Sequence, residues 1–69
     1  MDNILAAKVL MSHLPEIADG AYKTATEIAI EMLFKDAKKD YHLIHPFHID
    51  LKLQDYLELT DDEFKRWVR

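Results

Sequence analysis

Three histidines stand at steps of three near the middle of the chain, His42, His45 and His48, within the run DYHLIHPFHID. Together with His13, Asp40 or Asp50 they offer the nitrogen and oxygen ligands that zinc accepts, and a structural ion would steady a chain with little core. Steps of three converge on one point only along a helix, and Pro46 pushes His45 toward an extended conformation, which separates the rings. Recognised zinc spacings also usually include Cys, and this chain has none. The expectation is no metal and no other cofactor: the histidines pack in a loop and serve at most as a pH-sensitive contact.

The second group with a chemical reading is cationic and lies at the C-terminal end, where LKLQDYLELTDDEFKRWVR covers residues 51–69. A short helix carrying Leu53, Tyr56 and Leu57, a tight connection at Glu58-Leu59-Thr60 and a second helix ending in Lys65, Arg66, Trp67 and Arg69 resemble a helix-turn-helix unit. That resemblance implies DNA binding, with Lys65, Arg66 and Arg69 on the phosphates. Three features depart from it: Gln54 stands where such units usually keep a small residue, Glu58 where Gly often makes the turn, and Asp61-Asp62-Glu63 opens the helix that would enter the groove. Those carboxylates would meet phosphate charge and be repelled.

Catalysis finds little to work with. There is no Cys, no Gly-rich phosphate loop and no nucleophile elbow, and Ser12 and His13 are adjacent, which sends their side chains to different sides of a helix. The paired carboxylates Asp61 and Asp62 are accounted for by a helix N-terminus, so the expectation is a non-enzyme. Contact with another protein fits better. Trp67, Tyr56, Phe47 and Arg66 are residue types that anchor interfaces, and Leu5 and Val9 give the first helix a second apolar side. The competing reading has all of these closing one small core.

Size and charge narrow the classes further. Sixty-nine residues suffice for one domain, 1–69, with a single small core near the lower limit for standing alone. Hydrophobic residues at 49% beside 32% charged residues indicate a folded globular chain with more apolar side chains than so small a core can hide, which favours oligomerisation. A formal charge of -4 disfavours gripping nucleic acid over the whole surface. Residues 1–34 carry two cations against five acids (net -3) and residues 35–69 carry seven against eight (net -1), so any anion contact belongs to the second half. No basic, signal-like start precedes the first apolar run, and no run approaches the roughly 18 apolar residues of a membrane span. A cytosolic protein is expected.

The elements that must position these residues follow from hydrophobic spacing. Asp2 or Asn3 caps a helix over 3–13, which Pro15 ends or interrupts, leaving room for one extra turn at 15–19. Pro is also well tolerated as a first helical residue, so the alternative is a longer second helix that starts at Pro15 and runs through Gly20. The central helix is expected over 20–39. Ala25, Ile28, Ala29, Met32 and Leu33 form its apolar side, Ile30, Phe34 and Ala37 form a second apolar line, and Lys23 with Glu27 and Glu31 with Lys35 form pairs on the wet side. Helices follow at 51–58, capped by Asp50, and at 61–69, opened by the Thr60-Asp61-Asp62-Glu63 capping box. The fold class is all-α: a compact four-helix domain with one long central helix and a C-terminal helix-turn-helix-like hairpin.

Overall fold

In the computed structural model the chain is described over residues 2–44 and 51–68. Expectations that rest on His45, Pro46, Phe47, His48, Asp50 and Arg69 lie outside those residues. Among the described residues the protein is all-α, with four α-helices: α1 (Asn3–His13), α2 (Ala21–Ile44), α3 (Leu51–Leu57) and α4 (Asp61–Trp67). At about 1.5 Å per residue α2 spans about 36 Å, and it sets the long axis of a molecule 41 Å from end to end.

Local chemistry accounts for the boundaries. Asp2 adopts the extended backbone of an N-cap, and its carboxylate accepts the Leu5 N–H at 2.8 Å. Pro15 belongs to neither neighbouring helix. It opens a separate 3-10 turn, Leu14–Glu16, closed by the Ile17 N–H on the Leu14 carbonyl. An extra turn thus forms, at Leu14–Glu16 rather than 15–19, and the longer second helix beginning at Pro15 does not. Gly20, with φ of +149°, takes a conformation that side chains resist, and its carbonyl accepts the Thr24 N–H where α2 begins. The connection from Leu14 to Gly20 is short, which makes α1 and α2 neighbours packed along one another.

The expected end of the central helix needs correction. The helix continues beyond residue 39 to Ile44, because Tyr41 is a core residue and keeps the helix in contact with its neighbours; its ring lies 5.1 Å from that of Tyr56 in α3. The two apolar lines are buried unequally: the second faces inward, and from the first Leu33 packs half-buried against the core. Ile30 and Phe34 are fully buried, with Ala37, Tyr41 and Thr26 beside them, whereas Ile28 and Met32 stand 51% and 61% exposed. Thr26 is tolerated inside because its hydroxyl donates to the Tyr22 carbonyl at 2.8 Å.

The core is completed by Ala7 and Leu14 from the first third of the chain and by Leu53, Leu57, Leu59, Phe64 and Trp67 from the last. The lysine and glutamate pairs also redistribute. Lys23 donates to Asp19 at 3.0 Å, one turn earlier, and Glu27 accepts from Arg66 at 3.0 Å, so the Lys23–Glu27 pairing gives way to a contact that ties α2 to α4.

Candidate functional site

The helical hairpin at the C-terminal end is held by residues that depart from the helix-turn-helix pattern. Glu58 has φ of +55°, the left-handed conformation of a helix C-cap. Its N–H donates to the Asp55 carbonyl at 3.1 Å, and the Leu59 N–H donates to the Gln54 carbonyl at 3.3 Å, the two bonds of a Schellman motif. Gln54 then bridges the turn, its amide donating to the Leu59 carbonyl at 3.2 Å and to the Asp61 carboxylate at 2.6 Å. Thr60 and Glu63 form the full capping box, each side chain accepting the other's backbone N–H. These bonds make a rigid corner between α3 and α4. Lys8 fastens that corner to α1 by donating to the Glu58 carbonyl at 3.0 Å.

The cations proposed for phosphate contact are placed unevenly. Lys65 is exposed; Arg66 is committed to Glu27, with its guanidinium 4.5 Å from the centroid of the Trp67 ring. The exposed surface at the start of α4 carries Asp61 and Asp62. Trp67 itself is 8% exposed and lies in the core cluster, and Tyr56 stacks on Tyr41 with part of its ring in solvent. Arg66, Trp67 and Tyr56 thus reach the surface close to the core they seal. An open groove of about 370 Å³ runs between Met11, Leu14 and Pro15 on one side and Arg66 and Trp67 on the other. Its two cations, Lys23 and Arg66, already have carboxylate partners.

The imidazoles that are described stand apart in role. His13 closes α1 with its ring 3.4 Å from the Glu16 carboxylate, and His42 lies in the last turn of α2 with its ring 5.6 Å from that of Tyr41. Among the described residues no group of three His, Asp or Glu side chains is placed to hold a metal ion.

Among the described residues, large apolar side chains stand exposed on the outer side of α2, at Tyr22, Ile28 and Met32, and at its C-terminal end, at Leu43 and Ile44. Ile28 and Met32 each stand two residues from the fully buried Ile30, so each points roughly 200° round the helix from it. Tyr22, 73% exposed, and the alanines at 25 and 29 complete a stripe at three- and four-residue steps, 22, 25, 29 and 32, with Ile28 beside it. On α1 the same geometry repeats, because Leu5 and Val9 flank the fully buried Ala7 by two residues and both are exposed. The largest apolar patch of a typical monomer measures roughly 300–600 Å² and is often functional. Residue spacing marks Ala25, Ile28, Ala29 and Met32 as one of two apolar lines on this helix without showing which of the two the core uses. The line that faces inward is the one that carries Phe34 and Tyr41, two large rings seven residues apart.

No protein family, curated protein or solved structure matches the chain. No described helix is long and apolar enough to cross a membrane.

Proposed function

We propose that the protein is a small, non-enzymatic binding or regulatory module of the cytosol that acts by contact with another protein, a copy of itself included. The observation that carries this reading is the stripe of exposed Tyr22, Ala25, Ile28 and Met32, with half-buried Ala29 among them, on a helix whose opposite side is packed into the core. The large side chains among them are half or more exposed, so each forgoes about half or more of the roughly 1.5–3 kcal/mol that full burial returns. A partner surface would recover that energy. It would also supply the extra burial that so short a chain lacks on its own. Absence of Cys suits a reducing compartment, where disulfides are not available as staples.

The test is site-specific photo-crosslinking in cells that produce the protein. A photoreactive side chain at Ile28 or Met32 is expected to give a discrete product, whereas the same group at exposed Lys52, on α3, gives none. Equal and diffuse labelling from both positions would remove the stripe as a contact surface. The mass of the discrete product states whether the partner is another chain or a second copy.

A further inference from the structure

Trp67 also lines a second groove, a cationic one, and we infer that this groove binds a small phosphorylated molecule through Lys35 and Lys38. It lies between α2 and the end of α4 and holds about 400 Å³, with Glu31, Lys35 and Lys38 on one side and Arg66, Trp67 and Val68 on the other. Three cations face one carboxylate there, in a chain whose formal charge is -4. None of these residues belongs to the apolar stripe of α2, so the inference does not depend on the contact proposed for that stripe.

The two lysines differ from their neighbours in lacking a counterion. Lys8, Lys23 and Arg66 each have a carboxylate oxygen at 3.9 Å or less, whereas among the described residues Lys35 and Lys38 take part in no hydrogen bond or ion pair. Glu31 and Lys35 stand at the four-residue step where opposite charges meet, yet no bond joins them. The helix dipole does not account for the cluster either, because its effect is confined to the last turn and α2 runs on to Ile44. Lys35 and Lys38 are one turn apart, with Cβ atoms roughly 5–6 Å from each other, so their like charges repel until an anion lies between them. Lys38 is half-buried, which weakens the screening of its charge by water.

A phosphate monoester suits this arrangement. It carries a charge of roughly -1.5 to -2 at pH 7, and its three oxygens can accept from both ammonium groups at once. Arg66 adds a further donor, since its bond to Glu27 at 3.0 Å leaves other guanidinium N–H groups for a second acceptor. The organic part of the ligand lies over Val68 and the small exposed part of Trp67, which place apolar surface next to the charge. In volume the groove falls at the low end of the roughly 300–1,000 Å³ of small-molecule sites. A nucleic-acid backbone fits worse. It needs a continuous track of cations and would meet Glu31 in the groove and Asp61 and Asp62 at the start of α4.

Titration of the isotope-labelled protein with phenyl phosphate and with inorganic phosphate, at ionic strength held constant with sodium chloride, tests the site. Amide shifts and the fluorescence of Trp67, the single tryptophan, report binding. Saturable shifts confined to residues 31–38 and 66–68 are expected, with a dissociation constant for phenyl phosphate on the order of 1 mM, severalfold tighter than for inorganic phosphate. The Lys35→Gln, Lys38→Gln double variant should bind at least about tenfold more weakly. Lys39→Gln with Lys52→Gln removes the same charge outside the groove and should change affinity less than about twofold. Glu31→Gln should tighten binding roughly two- to fivefold, a gain that no loss of folding can imitate.

Shifts no larger than those sodium chloride alone produces overturn the proposal, as does a Lys35→Gln, Lys38→Gln variant that binds like wild type. A hexaglutamate peptide or a duplex DNA that saturates the same residues more tightly than phenyl phosphate overturns the small phosphorylated molecule as the ligand.

Discussion

Replacing Glu58 by Gly should stabilise the protein. Glu58 is held at φ of +55°, where a side chain's Cβ crowds the following carbonyl and costs roughly 1–2 kcal/mol relative to the right-handed region. Glycine removes that cost but surrenders roughly 0.4–1 kcal/mol through the greater freedom of its unfolded chain. What else the glutamate contributes is small: its carboxylate lies 3.9 Å from the Lys8 ammonium with 80% of the side chain in solvent, a pair worth close to nothing. The stronger contact of Lys8 is to the Glu58 backbone carbonyl, which glycine keeps. The expected net gain is about 0.5–1 kcal/mol, or roughly 2–8 °C in Tm for a domain of this size. Trp67 is the single tryptophan and is buried, so its fluorescence follows unfolding by heat or urea directly. A Glu58→Gly variant that melts at or below wild type would refute the left-handed cap as the source of strain, and with it the Schellman geometry assigned to this turn.

Four further outcomes are expected. Phe34→Ala removes a fully buried ring and should cost about 3–5 kcal/mol, most of what a chain of this length possesses, so far-ultraviolet circular dichroism at room temperature should show a largely unfolded protein. Gly20→Ala should lower stability by about 1 kcal/mol or more in urea titrations. At φ of +149° the backbone itself resists the new side chain even though nothing lies within 4 Å of it. Thr60→Ala deletes one half of the capping box at α4 and should cost about 1 kcal/mol, with faster amide exchange confined to the first turn of that helix. Arg66→Gln should change stability by about 1 kcal/mol or less, because its bond to half-buried Glu27 lies at the surface with more than half of the arginine side chain in solvent. In fluorescence anisotropy it should leave any weak affinity for duplex DNA essentially unchanged.

Much of the architecture is legible in the residue pattern because it rests on local signals. The Asp2 cap, the interruption at Pro15, the glycine at position 20 and the Thr60–Glu63 box are interactions within a few residues of one another, and each marks a boundary close to where the helices begin or end. The turn between α3 and α4 was located by the same means, although the left-handed conformation of Glu58 was not readable from a residue that rarely adopts it. What sequence spacing could not settle was which side of α2 faces inward. Two apolar lines run along that helix, and periodicity weighs them almost equally; the choice depends on Leu53, Leu57 and Phe64, which reach it from distant parts of the chain. The same non-local packing carries α2 through Tyr41 to Ile44, into a stretch whose histidines suggested a loop. Arg66 illustrates the consequence for the site. Its partner, Glu27, is remote in sequence, and only the fold brings the two together.

The account stands or falls on whether the outer side of α2 is surplus to the core. Thermal melting of wild type and of an Ile28→Ser, Met32→Ser double variant, followed by Trp67 fluorescence at a dilute and a high protein concentration, decides it. In dilute solution the two should melt together within the small change expected of surface substitutions, and at high concentration wild type alone rises where the partner is a second copy, by mass action. A double variant that already melts far below wild type in dilute solution would put Ile28 and Met32 inside the core and contradict the account.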